Sequence, residues 1–531
     1  MSGPTAGGSQ PAEPTPHADP GQSELMGKLR DLLARAVAAY QGHPAAPGLQ
    51  ALLGRLDEPL RVALAGRLKA GKSTLLNALV GERLAATDAT ECTRVVTWYA
   101  NGVASRAWAY PHQGEPRQLR FTRSGGQTVI DLGEFHADDL DRLAIEVPSS
   151  RLERLTLIDT PGIGSLSTDV SARTTAFLTE DTDRGADAVL YLMRHLHASD
   201  VGFLEAFGDD DLSGSTPVNA IGVLSRSDEV GAGRGDALEL ARRVAAEYRR
   251  EPRIRALVQT VVPVSGLLAQ AGATLQEADY AALATLAARP GSMLLSADRF
   301  VADVPGAALP AERRRQLLGL LGMFGVRLAV ALVQQGAAPH ASALARELRA
   351  RGGLDELRTV LLDQFTDRTD VLKAQHALRT LEAVLTAAPV PATDWLRSRV
   401  EAVVVGAHEL TELRLLNDLR TGAVELAEQE LRDEAEALLG ASGGTLRARL
   451  RLPADAPDEE LRPAVIVALR RWQRLGESPM ADPGVRRTAA VLRRSCEGLL
   501  PSTPRGTPRP TPQLAVPAEP TAQPAGGQES L

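Results

Sequence analysis

Cysteine is nearly missing from this chain of 531 residues, which carries only Cys92 and Cys496. Two cysteines so far apart build neither a disulfide framework nor a Cys-based zinc site, and they point to a reduced, cytosolic compartment. Aromatic residues are also scarce, at 3%. With Ala, Leu, Val and Arg dominant, that scarcity argues for helices and against an all-β architecture. Positive charge is not in surplus: 66 acidic residues outnumber 59 basic ones, for a net charge of −7. Nothing therefore marks a nucleic-acid binder. Membrane contact stays open, because it needs only a local patch or an apolar tip. The amino terminus has no basic start and no apolar core, so it does not read as a signal peptide. No apolar run reaches the uninterrupted ~18 residues of a membrane span. Leu317–Val333 comes nearest, but glycines and Arg327 interrupt it, and it reads as a buried helix in a bundle.

What is present is one organising stretch. Val62–Ala65 is an apolar run suited to a buried parallel strand, and Leu75, Leu76, Leu79 and Val80 share one helical face. Between them stands Gly66-x4-Gly71-Lys72-Ser73, a full match to the phosphate-binding loop. Glycines let such a loop turn its N–H groups inward, so the backbone from Gly66 through Lys69, Ala70, Gly71, Lys72, Ser73 and Thr74 is expected to cradle phosphates. Lys72 should reach the β- and γ-phosphates, and the Ser73 hydroxyl should ligate Mg²⁺.

Three further pieces select GTP. Leu157–Gly162 reads as a strand ending in Asp-Thr-Pro-Gly, in which Asp159 would hold Mg²⁺ through a water and the Gly162 N–H would bond the γ-phosphate. The Thr-rich stretch 84–97 offers Thr93, with Thr90 as its rival, to complete the Mg²⁺ shell and orient the attacking water. Leu224-Ser225-Arg226-Ser227-Asp228 stands where Asn/Thr-Lys-x-Asp would read guanine. There Asp228 accepts from the base, and Arg226 covers its face in place of the usual lysine. Val261–Ser265-Gly266 resembles the last base-contacting loop.

The alternation of strands and helices from about Leu60 to Leu267 is that of a doubly wound, mostly parallel α/β sheet. Expected strands after the loop are Arg94–Tyr99, Ala104–Tyr110, Leu119–Thr122, Leu155–Ile158, Ala188–Met193, Ala220–Ser225 and Val261–Val264. Expected helices between them include Ser171–Leu178, Val201–Phe207 and Asp236–Tyr248. Beyond about residue 310 the strand signal ends. Leu354–Leu385 keeps helical spacing for roughly 48 Å, and Asp394–Leu439 reads as a second long helix, as in an elongated all-α bundle. The expected division is a disordered tail over 1–22, amino-terminal helices over 23–57, the GTPase domain over 58–308, the helical bundle over 309–500 and a disordered Pro-rich tail over 501–531.

Together the phosphate loop, Thr93-Arg94, Asp-Thr-Pro-Gly, Gly322-Met-Phe-Gly-Val-Arg327 and the long helical tail resemble the bacterial dynamin-like proteins. Within them the similarity is to the isoniazid-inducible dynamin-like proteins of mycobacteria, in particular the IniC branch, over about residues 24–500. The resemblance implies a GTPase head, a helical neck and trunk, and GTP hydrolysis coupled to membrane binding and remodelling. It further implies a place on the inner face of the cytoplasmic membrane, anionic lipid as partner, and pairing through the heads or with a homologue. It also implies a neck formed by Glu24–Tyr40 and Val485–Leu499. Many relatives carry Gln-Ser in the loop where this chain has Leu68-Lys69. Lys69 is then expected to supply the charge of a monovalent cation, the alternative being a solvated lysine. The turn Ala387–Trp395 fits either an interfacial membrane tip or a capped turn with a core Trp395. The competing function is a regulatory GTP switch on a protein or ribosomal partner, which the long bundle disfavours.

Overall fold

The computed structural model describes residues 20–81, 84, 95–124, 127–161, 185–195, 201, 204, 219–288, 292–304, 306–366 and 368–502. The described strands are β1 (Leu60–Gly66), β2 (Thr97–Asn101), β3 (Arg106–Pro111), β4 (Arg117–Ser124), β5 (Gln127–Asp131), β6 (Leu140–Val147), β7 (Leu155–Asp159), β8 (Ala188–Met193), β9 (Ala220–Ser225) and β10 (Val261–Val264). They form one sheet in the order β10-β9-β8-β1-β7-β2-β6-β3-β4-β5. From β10 to β7 every pairing is parallel. These strands are covered on both faces, which is why they read as unbroken apolar runs; β1, β8 and β9 are buried throughout. β2 then turns antiparallel to β7 and opens an extension through β6, β3, β4 and β5. β5 and β6 were not expected, although Leu140, Leu143, Ile145 and Val147 mark the inward face of β6.

The longer helices are α1 (Pro20–Ala39), α2 (Ala46–Arg55), α3 (Lys72–Val80), α4 (Ala237–Arg250), α5 (Gly266–Thr274), α6 (Glu277–Ala288), α7 (Ala311–Gln334), α8 (Ala341–Arg351), α9 (Leu354–Leu361), α10 (Thr369–Ala387), α11 (Thr393–Gly406), α12 (His408–Thr421), α13 (Gln429–Leu438), α14 (Asp458–Glu477) and α15 (Pro483–Leu499). On one face of the sheet α3 and α9 pack over β1, β7 and β8; on the other, Ala241 and Ala245 of α4 meet Ala63, Val189 and Val261.

The change of core does not fall at residue 309. α7 and α8 pack with α5 and α6 beside the sheet. Leu354, Leu357, Leu361 and Phe365 then return the chain to the sheet core itself. Nor is there one helix over 354–385. A π-turn at Leu362–Thr366 interrupts it, because Gln364 turns to donate to the Ala441 carbonyl and Arg368 to that of Leu439. The expected second long helix is three, broken at Ala407, whose ψ is 111°, and at Gly422, whose φ is 82°. α7 alone among the described helices is long and apolar enough to cross a membrane, but it is kinked and one face is buried in the core beside the sheet.

The bundle core joins α1 and α2 to α10–α15. α1 packs on α2, α10 and α11, whereas α15 packs on α14 and α12, so the two terminal helices share a core instead of forming a mutual pair. Bundle and sheet meet at a buried polar junction. Arg55 of α2 donates to Asp187 Oδ1 at 2.8 Å, to the Gly185 carbonyl at 2.6 Å and to His376 of α10. The other Asp187 oxygen accepts from the Arg61 N–H at 2.8 Å. Lys373 closes the junction through the carbonyls of Leu56 and Glu58. The Ala387–Trp395 turn lies against α1, with Tyr40 Oη donating to the Ala388 carbonyl at 2.7 Å. It is capped, since Thr393 Oγ1 accepts from the Val390 N–H. Trp395 is not a core residue: it is 45% exposed, with Arg35 and Arg399 beside its ring.

Candidate functional site

The loop after β1 has its shape because the neighbouring strand leaves no room for a side chain. Gly66 has φ 143°, and a Cβ there would stand 2.4 Å from the Leu192 carbonyl oxygen of β8. The chain then curls into α3, which begins at Lys72. Lys72 is buried, and its ammonium donates to the Gly66 carbonyl at 3.0 Å. One residue on, the Ser73 hydroxyl donates to Asp159 Oδ2 at 3.0 Å. Asp159 closes β7, and Thr160 fixes that strand end by donating its hydroxyl to the Leu64 carbonyl at 2.8 Å. The other oxygen, Asp159 Oδ1, is buried with no hydrogen-bond donor among the described residues. Burial raises the Asp159 pKa, against the pull of Lys72 and Ser73; burial lowers that of Lys72, against Asp159. An orphaned carboxylate oxygen beside a serine hydroxyl is a hard oxygen pair of the kind that suits Mg²⁺.

The second half of the site hangs from the ends of β9 and β10. After Ser225 the chain passes through Arg226, in left-handed conformation at φ 53°, to the buried Asp228. Burial raises the Asp228 pKa, and a hydrogen bond from the Ser265 hydroxyl opposes it. Ser265 caps α5, accepting from the Leu268 N–H, and Gly266 lies against Thr74 of α3. Arg226 donates to Glu229 Oε1 at 2.7 Å, and Arg194 pairs with the same carboxylate. A cavity of about 120 Å³ runs between the halves, lined by Ala70, Gly71 and Thr74 on one side and by Ser225, Arg226, Asp228 and Gly266 on the other. It sits at the carboxyl edge of the parallel strands, where open α/β sheets bind ligands.

The structure thus gathers Gly66, Ala70, Gly71, Lys72, Ser73, Thr74, Asp159, Arg226, Asp228, Ser265 and Gly266 at one edge. Lys69 is exposed, with φ 62°, and does not line the cavity. Thr93 and Gly162 lie outside the described residues, as do Thr90, Arg94 and the expected helix 171–178. Sequence reasoning missed Thr160, although it stands inside the Asp-Thr-Pro-Gly motif. It also missed the Arg55–Asp187–His376 junction, whose members are far apart in the chain and match no motif.

The Dynamin family model matches residues 62–206, a range that holds both the phosphate loop and Asp-Thr-Pro-Gly. Isoniazid-induced protein IniC of Mycobacterium tuberculosis is 39% identical over 486 residues, covering 89% of this chain and 98% of that protein. The chain belongs to the IniC branch of the bacterial dynamin-like proteins. A bacterial dynamin-like protein of Nostoc punctiforme is 30% identical over 145 residues, 25% of this chain and 20% of its own length. A solved structure, described as an oligomerised bacterial dynamin pair providing a mechanism for long-range sensing and tethering of membranes, is 12% identical. It covers 91% of this chain and 75% of its own, with a TM-score of 0.32. As a dynamin-family GTPase, the protein binds and hydrolyses GTP.

Proposed function

We propose that GTP lies along the cavity with its phosphates on the Gly66–Thr74 loop and its base at Asp228, and that hydrolysis drives membrane binding and remodelling. The observation that carries the reading is the single cavity joining Ala70, Gly71 and Thr74 to Arg226 and Asp228. Lys72 exchanges the Gly66 carbonyl for the β- and γ-phosphate oxygens, a partner that repays its burial far better. The α3 amino terminus adds its backbone N–H groups and dipole to the same phosphates. Ser73 and Asp159 would hold Mg²⁺, which would neutralise phosphate charge when bound. Asp228 accepts from the guanine N1–H and exocyclic amine, and Ser265 keeps its carboxylate oriented. Arg226 stacks on the base, with Glu229 steadying its guanidinium. Thr93 and Gly162 take the attacking water and the γ-phosphate. Lys69, at the exposed turn of the loop, supplies positive charge to the phosphates in place of a monovalent cation.

The head acts at the inner face of the cytoplasmic membrane, paired with a second head or with a homologue. Two features support the membrane reading. The bundle is fastened to the sheet through the buried Arg55–Asp187 pair, so a shift of one is felt by the other. Trp395 stands half exposed between Arg35 and Arg399, an aromatic–cation pairing suited to an anionic interface. The test is co-sedimentation with anionic and with neutral liposomes, with GTP and with GDP. Selective, nucleotide-dependent binding to the anionic vesicles supports the reading, and no binding to either overturns its membrane half.

A further inference from the structure

The motif Gly322-Met323-Phe324-Gly325-Val326-Arg327 takes no part in the phosphate chemistry above, yet both of its ends reach the segment that carries Asp228. At Gly322 the backbone of α7 leaves the helical path with φ 66° and ψ 172°. That combination is open essentially to glycine alone. The kink sets the helix backbone against the base end of the cavity. A Cβ on Gly322 would meet Leu267 Cδ1 at 3.1 Å and stand 4.0 Å from Asp228 Oδ2. Leu267 and Asp228 both line the cavity. At the other end of the motif Arg327 donates to the Gly233 carbonyl at 3.4 Å, the last residue of the segment Ser227–Gly233. The same guanidinium holds the carbonyls of Leu294 and Leu295 at 2.8 and 2.7 Å.

Between these two grips the motif is anchored in packed core. Phe324 and Val326 are buried, and a Cβ on Gly325 would stand 3.0 Å from Leu268 of α5. The spacing of the two contacts is therefore fixed by rigid surroundings. A helix needed only for packing would have no use for a glycine-only kink in mid-run. The kink is explained by the close approach it allows to Leu267 and Asp228.

We propose that Gly322–Arg327 is a two-point clamp on residues 227–233 that positions Asp228 and so sets the preference for guanine. The inference rests on the reading of Asp228 as the acceptor for the base. Gly322 and Arg327 are positioning residues that act through Asp228. The clamp also accounts for a chain that keeps base selection with Ser-Arg-Ser-Asp in place of the commoner motif: orientation comes from the helix packed behind the loop.

The experiment is steady-state turnover of the full chain with GTP and with ITP, whose base lacks the exocyclic amine. Gly322→Ala strains the backbone and presses on Leu267. It is expected to raise KM for GTP about tenfold with kcat within about twofold, and to collapse the preference for GTP over ITP. Arg327→Gln should shift the same ratio in the same direction, about threefold, with Arg327→Lys recovering part of it. Loss of active protein alone would lower kcat for both nucleotides and leave the ratio unchanged, and that result overturns the clamp. If Gly322→Ala does not fold, the ratio for Arg327→Gln decides. Asp228→Asn separates the two levels. If it abolishes the GTP preference while Gly322→Ala and Arg327→Gln keep it, the clamp falls and the guanine site stands. If Asp228→Asn also keeps the preference, the reading of Asp228 falls, and the clamp with it.

Discussion

Removing Arg55 should be among the most damaging single changes outside the nucleotide site. Its side chain is 3% exposed and that of its partner Asp187 is 1% exposed, at 2.8 Å. Arg55→Met leaves the Asp187 carboxylate in the same dry setting, with the Arg61 N–H still donating to it. Breaking one side of such a pair costs about 3–5 kcal/mol, mostly because the other charge stays buried. For a protein of this size that lowers Tm by about 3–5 °C. Asp187→Asn keeps an acceptor for the Arg61 N–H but removes the buried counter-charge of the guanidinium, with a similar loss. The double variant removes both charges and should recover about 2–3 kcal/mol relative to the sum of the single changes. Urea unfolding of the four proteins, followed by circular dichroism, measures the cycle. Strict additivity, or an Arg55→Met cost under about 1 kcal/mol, would refute the junction as a coupling element.

Other expectations follow from the same contacts. Burial, with Arg55, Arg379 and Arg61 around it, holds the His376 imidazole well below the ordinary histidine range. Above about pH 6.5 the ring is neutral whether folded or not; below that the unfolded chain takes up a proton that the native ring refuses. Stability should therefore fall as pH drops from about 6.5, with a slope from this one group of up to about 1.4 kcal/mol per pH unit, and His376→Gln should flatten it. An unchanged pH profile in His376→Gln would contradict this. If Lys69 stands in for a monovalent cation, GTP turnover should be the same in Na⁺, K⁺ and choline buffers; strong K⁺ dependence would count against it. Replacing both Val390 and Trp395 by Asp should weaken sedimentation with anionic liposomes by about tenfold while leaving turnover in solution unchanged. Undiminished binding rules this turn out as the membrane contact.

The candidate site was legible because its residues are local in the chain or lie near strand ends. Gly66, Lys72 and Ser73 lie within eight residues, Asp159 ends one apolar strand and Asp228 follows just after another, so the strand ends bring them to one edge. The helical half was less legible, because spacing reports a helical face without saying where the helix stops. Gln364, Arg368 and Gly422 end helices through distant hydrogen bonds or backbone geometry that a periodic pattern does not register. Leu354, Leu357 and Leu361 carry the same stripe as a bundle helix, yet they face the sheet, and only the fold distinguishes the two. Gly322 was visible inside a motif, but its meaning depends on Leu267 and Asp228, brought beside it by folding.

The central claim is that one cavity holds GTP between Lys72 and Asp228 and that its hydrolysis is felt at a membrane. The most direct measurement is phosphate release by the wild-type chain and by Lys72→Ala, with GTP and with ATP, in the presence and absence of anionic liposomes. The account predicts turnover of GTP and not ATP, a rise on adding liposomes, and a loss of at least about a hundredfold in Lys72→Ala. Equal turnover of ATP, or a Lys72→Ala variant that hydrolyses GTP at the wild-type rate, would contradict it.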